Sequence, residues 1–313
     1  MLIIIGGSNL KFEHIPVLLK ECLKGLNIKD NGLYLDGTLG GAGHSQAILD
    51  SSNCKIVAFD LDIVALQNAE KKLQKYKDRI KLVHCDFANA KNILDELDIP
   101  QIDGVLLDLG VSSYQLDTPE RGFSYMHNGL LDMRMNNTDG LTAHDIINTF
   151  SKENIVKILR DYGEENFASR IASNIVKERE KKPINTTLEL VQIIKNSKPF
   201  AKNGHPAKKV FMALRIAVNN ELDKLDRAVR NITDKIATGG NICIITFHSL
   251  EDRLVKHTLK DLASGCICDK RLPLCVCGIV PKIRLLDKIR PSKQELNDNK
   301  RAKSATLRIA TKL

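Results

Sequence analysis

A chain of 313 residues, 43% of them hydrophobic, is long enough to bury one large core and a smaller one beside it. No apolar run approaches the ~20 residues of a membrane span, and Met1-Leu2-Ile3-Ile4-Ile5 lacks both the basic lead and the length of a secretory signal, so a cytoplasmic protein with eight reduced cysteines is expected. The net charge of +9 is unevenly placed: residues 270–313 carry twelve basic and three acidic residues, the chain before them is neutral, and the C-terminal segment reads as a polyanion-binding arm.

In chain order, residues 16–23 predict a short helix and residues 33–36 an apolar strand. The strand runs into Gly37-Thr38-Leu39-Gly40-Gly41-Ala42-Gly43, with Ser45 as a start signal for the next helix. Glycines let backbone N–H groups close on a small polar ligand, because no Cβ holds the ligand off. A second strand, Lys55-Ile56-Val57-Ala58-Phe59, ends at Asp60. An acid about 20 residues past such a loop accepts both hydroxyls of a ribose. A dinucleotide fingerprint starting at Gly41 needs glycine where Gln46 stands. The spacing therefore points to an adenosine cofactor without a pyrophosphate, with S-adenosylmethionine (SAM) as the candidate.

A helix over 63–76 and strands over 80–84 and 103–108 continue the βαβ alternation, the last strand nearly all apolar as in a buried parallel sheet. Beyond Asp108 the pattern turns helical at 154–159, 167–181 and 188–195. One long amphipathic helix is expected over 207–232, with Phe211, Leu214, Val218, Leu222, Leu225 and Val229 on a single face. Gly239-Gly240 opens a buried strand over 241–247, followed by a helix that Ser249 caps, and 305–310 alternates like a final strand. The fold expected is α/β: one doubly wound, Rossmann-like sheet from residues 1–111 and 206–313, interrupted by a helical insertion at 112–205.

Ligands of open α/β sheets lie at the carboxyl ends of the strands. Those ends carry Asp36, Asp60, Asp86, Asp108 and His248. Clustered, partly desolvated carboxylates repel one another, and a cation among them relieves that cost. SAM brings a sulfonium and an amino group. Asp36 and Asp86 read equally well as caps of the following helices, whereas Asp60 reads as a ligand contact. Two rival classes remain: a nucleotide-dependent oxidoreductase, disfavoured by Gln46, and a catalytically silent RNA-binding assembly factor. Cys266, Cys268, Cys275 and Cys277, spaced C-x-C-x6-C-x-C, are either a tetrahedral zinc site or an unliganded cluster.

Seven ordered motifs add to this reading. They are His14-Ile15-Pro16-Val17-Leu18-Leu19, residues 36–45, Leu107-Asp108-Leu109-Gly110-Val111-Ser112-Ser113, Arg121-Gly122-Phe123-Ser124, Leu131-Asp132-Met133-Arg134-Met135, Tyr162-Gly163-Glu164-Glu165 and Phe247-His248-Ser249-Leu250-Glu251-Asp252-Arg253. In these the chain resembles the family of bacterial ribosomal RNA small-subunit methyltransferase H. The resemblance implies a Rossmann-like SAM-dependent methyltransferase core with an inserted helical substrate-recognition domain, and SAM-dependent N4-methylation of a decoding-centre cytidine of 16S rRNA, with the RNA held in the small ribosomal subunit. It implies cofactor contacts at Ala42, Gly43, His44, Asp60, Phe87, Asp108 and Gln115. For the proton acceptor on the cytosine amino group Asp108 comes first and Asp132 second, with Phe123 or Tyr125 placed to stack on the base. Lys282, Arg284, Lys288, Arg290 and Lys293, outside the predicted terminal strand, are the expected phosphate contacts.

Overall fold

The computed structural model describes residues 16–199, 204–264, 268, 271–274 and 276–313. The first half builds α1 (Leu19–Leu26), β1 (Leu33–Asp36), α2 (Gly43–Ser51), β2 (Lys55–Asp60), α3 (Ile63–Lys72), β3 (Ile80–His84), α4 (Ala90–Glu96) and β4 (Ile102–Asp108). Helices follow: α5 (Ser113–Asp117), α6 (Ala143–Thr149), α7 (Lys152–Asp161), α8 (Ala168–Arg179), α9 (Thr187–Ser197), α10 (Lys208–Asn219) and α11 (Glu221–Lys235). The chain then returns to the sheet with β5 (Ile236–Thr246), α12 (Ser249–Ser264), β6 (Ile283–Ile289), α13 (Lys293–Asp298) and β7 (Thr306–Lys312).

The strands form one sheet in the order β3-β2-β1-β4-β5-β7-β6. β1 to β5 pair in parallel, and β7 runs antiparallel to both β5 and β6. This is the Rossmann-like methyltransferase arrangement expected, and it puts the switch point between β1 and β4. Side chains alternate across the sheet. Tyr34, Ile56, Leu106 and Cys243 pack on one face with α1 and α2. Leu35, Val57, Leu107 and Ile244 pack on the other with α4, α11 and α12. Both faces are covered, which is why these strands read as unbroken apolar runs.

The inserted helices have their own apolar cluster, including Ile146, Ile155, Ile171, Leu190 and also Phe211 and Leu214 of α10. Local signals set their ends: Thr142 and Thr186 each close a capping box, with Asp145 and Glu189 respectively. Among the described residues no helix is long and apolar enough to cross a membrane.

Three expectations need correction. The helix over 207–232 is two helices, broken where Asn220 adopts a left-handed conformation (φ 50°, ψ 40°). Ser45 does not cap α2; it lies inside it, donating its hydroxyl to Asp36 Oδ2 at 2.6 Å. Residues 283–289, read as part of a polyanion-binding arm with no strand of their own, do lie outside the terminal strand but belong to the sheet. They form the edge strand β6, whose residues other than Ile283 remain largely exposed. An edge strand that buries little and carries charge hides its period from sequence. Of the four cysteines expected as a zinc site or cluster, Cys266 and Cys275 lie outside the described residues.

Candidate active site

A cavity of about 530 Å³ opens at the carboxyl ends of β1, β2, β4 and β5. Its floor is the loop after β1. Asp36 holds that loop from below, its Oδ1 accepting from the Thr38 N–H at 3.1 Å and its Oδ2 from Ser45. Ala42 turns the chain with φ 56° and is fully buried, so it shapes the loop rather than facing the cavity. The backbone then passes so close to Pro16 that a Cβ on Gly43 would stand 2.4 Å from its Cγ. Glycine is required there by packing.

Asp60 lines the cavity at the end of β2. Its Oδ2 accepts from the Gly40 N–H at 2.7 Å and its Oδ1 from the Asp62 N–H at 2.8 Å. Burial raises its pKa to about 6, against those hydrogen bonds, with Asp62 and Asp36 adding to the rise. Phe87, Gly43 and His44 also face the cavity. His44 is fixed by Nε2 at 3.0 Å from the Val17 carbonyl, and its Nδ1 stands 3.6 Å from Asp108 Oδ2. Asp86 caps the turn after β3, accepting from Ala88 N–H, and pairs with Lys224 at 2.8 Å.

Asp108 is the centre of the site. Its backbone N–H donates to Thr38 Oγ1 at 2.6 Å, locking β4 to the loop. Its Oδ1 is buried without a hydrogen-bond partner. Desolvation, then the charges of Asp36 and Glu251, raise its pKa to about 8. A buried acceptor without a donor calls for a ligand, and a cationic one fits best.

Of the far wall, only His248 was legible in the sequence. Arg215 of α10 binds Glu221 of α11 with two hydrogen bonds of 2.8 Å and stands 3.7 Å from Glu251 Oε1. His248 Nε2 lies 2.9 Å from the same Glu251 oxygen without making an aligned hydrogen bond. Burial works against the Glu251 charge, but His248 and Arg215 hold its pKa below the ordinary range. Glu221, His248 and Glu251 offer donor atoms within 4.8 Å of one another, the reach of a metal site. Arg215 already supplies the positive charge there, so the group is complete as an ion cluster. The signal for it was a polar interruption: Arg215 breaks the apolar run from Val210 to Val218.

The structure also ties the site to the insertion. Asp62 caps α3, accepting from the Val64 N–H at 3.0 Å. Its Oδ2 also takes the Gln115 amide at 3.1 Å and the Arg121 guanidinium. Arg121 donates onward to the carbonyls of Arg134 and Met135, each at 2.9 Å. Gln115 thus lines the cavity with its amide already held. Asp132 does not reach the cavity: Arg134 clamps it through Nε at 2.9 Å and Nη2 at 2.8 Å. Phe123 and Tyr125 line the wall, but Tyr125 is stacked on His205 with ring centroids 4.5 Å apart.

Residues 11–313 match the MraW methylase family. A Ribosomal RNA small subunit methyltransferase H from Finegoldia magna is 47% identical over 311 residues, covering 97% of this chain and 100% of the relative. The protein of that name from Clostridioides difficile is also 47% identical, with the same coverage. One from Carboxydothermus hydrogenoformans is 46% identical, covering 97% of this chain and 99% of its own.

Proposed function

The chain belongs to the MraW methylase family, and we propose that it methylates N4 of a cytidine in the decoding centre of 16S rRNA, using SAM, within the small ribosomal subunit of a bacterial cytoplasm. The observation that carries the reading is Asp108 Oδ1, buried and unpartnered at the end of β4 among other strand-end carboxylates. When bound, SAM supplies a methyl group activated by its positive sulfur, so the protein's task is in-line positioning and proton removal. Asp60 would hold the ribose hydroxyls, Phe87 the adenine, and the loop around Gly43 the rest of the cofactor. A cation beside Asp108 draws its pKa down from about 8 and leaves a carboxylate. That carboxylate accepts an amino N–H of cytosine, pulls density onto N4 and receives the surplus proton. The target must leave its stack to enter the cavity.

The bodies expected at 1–111 with 206–313 and at 112–205 divide this work: the sheet holds the donor and the inserted helices orient the RNA. Asp132, held by Arg134, fits a role in shaping the loop before Arg121's carbonyl partners. Mass spectrometry of rRNA nucleosides from cells lacking the gene tests the reading. Loss of N4-methylcytidine, restored by the gene, supports it; an unchanged nucleoside profile contradicts it.

A further inference from the structure

Among the described residues, the positive surplus expected as a polyanion-binding arm is divided between two places. Part of it lies on β6 at the sheet edge, away from the cavity, where Arg284 and Lys288 are exposed. Another part comes to the mouth of the cavity. Lys300, Arg301 and Lys303 sit on the short turn Lys300–Ser304, and all three line that mouth. The turn is firmly seated, with Ala302 fully buried and Ala305 nearly so in the cluster under the sheet. Glu295 of α13, just before it, accepts from the Leu18 N–H at 2.6 Å.

Charge at this mouth is unbalanced. Arg301 is paired with Asp117 of α5 at 2.6 Å and 2.7 Å. Among the described residues no carboxylate pairs with Lys300 or Lys303, nor with Lys208, which lines the cavity from the start of α10. The turn after α13 and the start of α10 therefore both present exposed ammonium groups at the opening. A nucleotide splayed into the cavity leaves its two flanking phosphates at the opening. A cofactor with one carboxylate does not account for three unpaired cations there.

We propose that Lys300, Lys303 and Lys208 clamp the RNA backbone on either side of the target nucleotide. The inference rests on the methyltransferase reading above and adds where the phosphates go. Such contacts release counterions and give attraction without reading sequence.

The test measures binding of small ribosomal subunits to the full-length protein across a salt series. Each lost phosphate contact should flatten log K against log salt by about 0.7–0.9, so Lys300→Gln with Lys303→Gln should flatten it by roughly 1.4–1.8. Lys208→Gln should give about half that change. SAM affinity should stay at the wild-type value in both. Arg284→Gln with Arg290→Gln removes the same charge from two exposed residues that the sequence offered as phosphate contacts; the clamp, which puts the phosphates at the mouth instead, predicts an intact slope there. An unaltered slope in the first variant overturns the clamp, as does an equal loss in the second pair, which means diffuse attraction. Weakened SAM binding also overturns it, by showing that the lysines meet the cofactor. Methyl transfer by the wild type is scored separately, so failure of the enzymatic reading is distinguishable from failure of the clamp.

Discussion

Three carboxylates carry the residue scale. Asp60→Ala should weaken SAM binding by about 1.5–3 kcal/mol, the range for hydrogen bonds to a charged group, as read by calorimetric titration. The fold should survive, since Asp60 ends a strand; wild-type affinity in the folded variant removes Asp60 from the site. Asp108 gives a pH dependence with a definite sign. Its pKa rises from the ordinary 3.8 to about 8, so the folded protein holds that proton more tightly than the unfolded chain. Its contribution to stability therefore diminishes as pH climbs through that window. For the cofactor the sign is opposite, because a cation prefers the carboxylate. SAM affinity should rise by up to ~ten-fold per pH unit as pH approaches about 8 and level off above it. Asp36 and Asp60, each raised to about 6, have largely lost their protons by then. Asp108→Asn should abolish the slope, and a retained slope would assign the proton elsewhere. Asp36, Asp60 and Asp108 were legible because each follows an apolar run. The ion cluster at the far wall was not, because Arg215, Glu221 and Glu251 come from two helix ends and a separate helix.

At the scale of elements, the break at Asn220 matters most. The apolar stripe continues across it, so periodicity alone reads one helix, and only the backbone shows the turn. The turn lets Arg215 and Glu221 meet across two helix axes instead of along one. A side chain that tolerates the left-handed region is needed there. Asn220→Ala should cost about 1 kcal/mol of stability and Asn220→Gly much less, measured by thermal or urea unfolding. Equal losses would mean that the Asn side chain, not the backbone, is what counts. The Asp62–Arg121 pair joins α3 to the inserted segment with side chains 2% and 10% exposed. Arg121→Met leaves Asp62 charged and buried, so stability should fall by about 3–5 kcal/mol. A loss under about 1 kcal/mol would show that the pair is solvated and does not join the two bodies.

For the whole molecule, the parallel sheet was legible because two covered faces demand continuous apolar strands, and the glycine loop because close approach demands missing side chains. β6 escaped because its exposed Arg284, Asp287 and Lys288 look like a solvated tail. The same charge count that suggested a loose arm is resolved by the fold into an edge strand and a seated turn at the mouth. In the proposed reaction one cavity joins a SAM crevice to a pocket for a cytidine, with Asp108 between them. The most direct measurement incubates the full-length protein with methyl-labelled SAM and small ribosomal subunits lacking the modification, then separates the RNA nucleosides by mass spectrometry. Label is expected in N4-methylcytidine, strongly reduced in a folded Asp108→Asn variant whose affinity for the subunit is kept. Label on another nucleoside, no transfer at all, or full activity in that variant would contradict the proposed reaction.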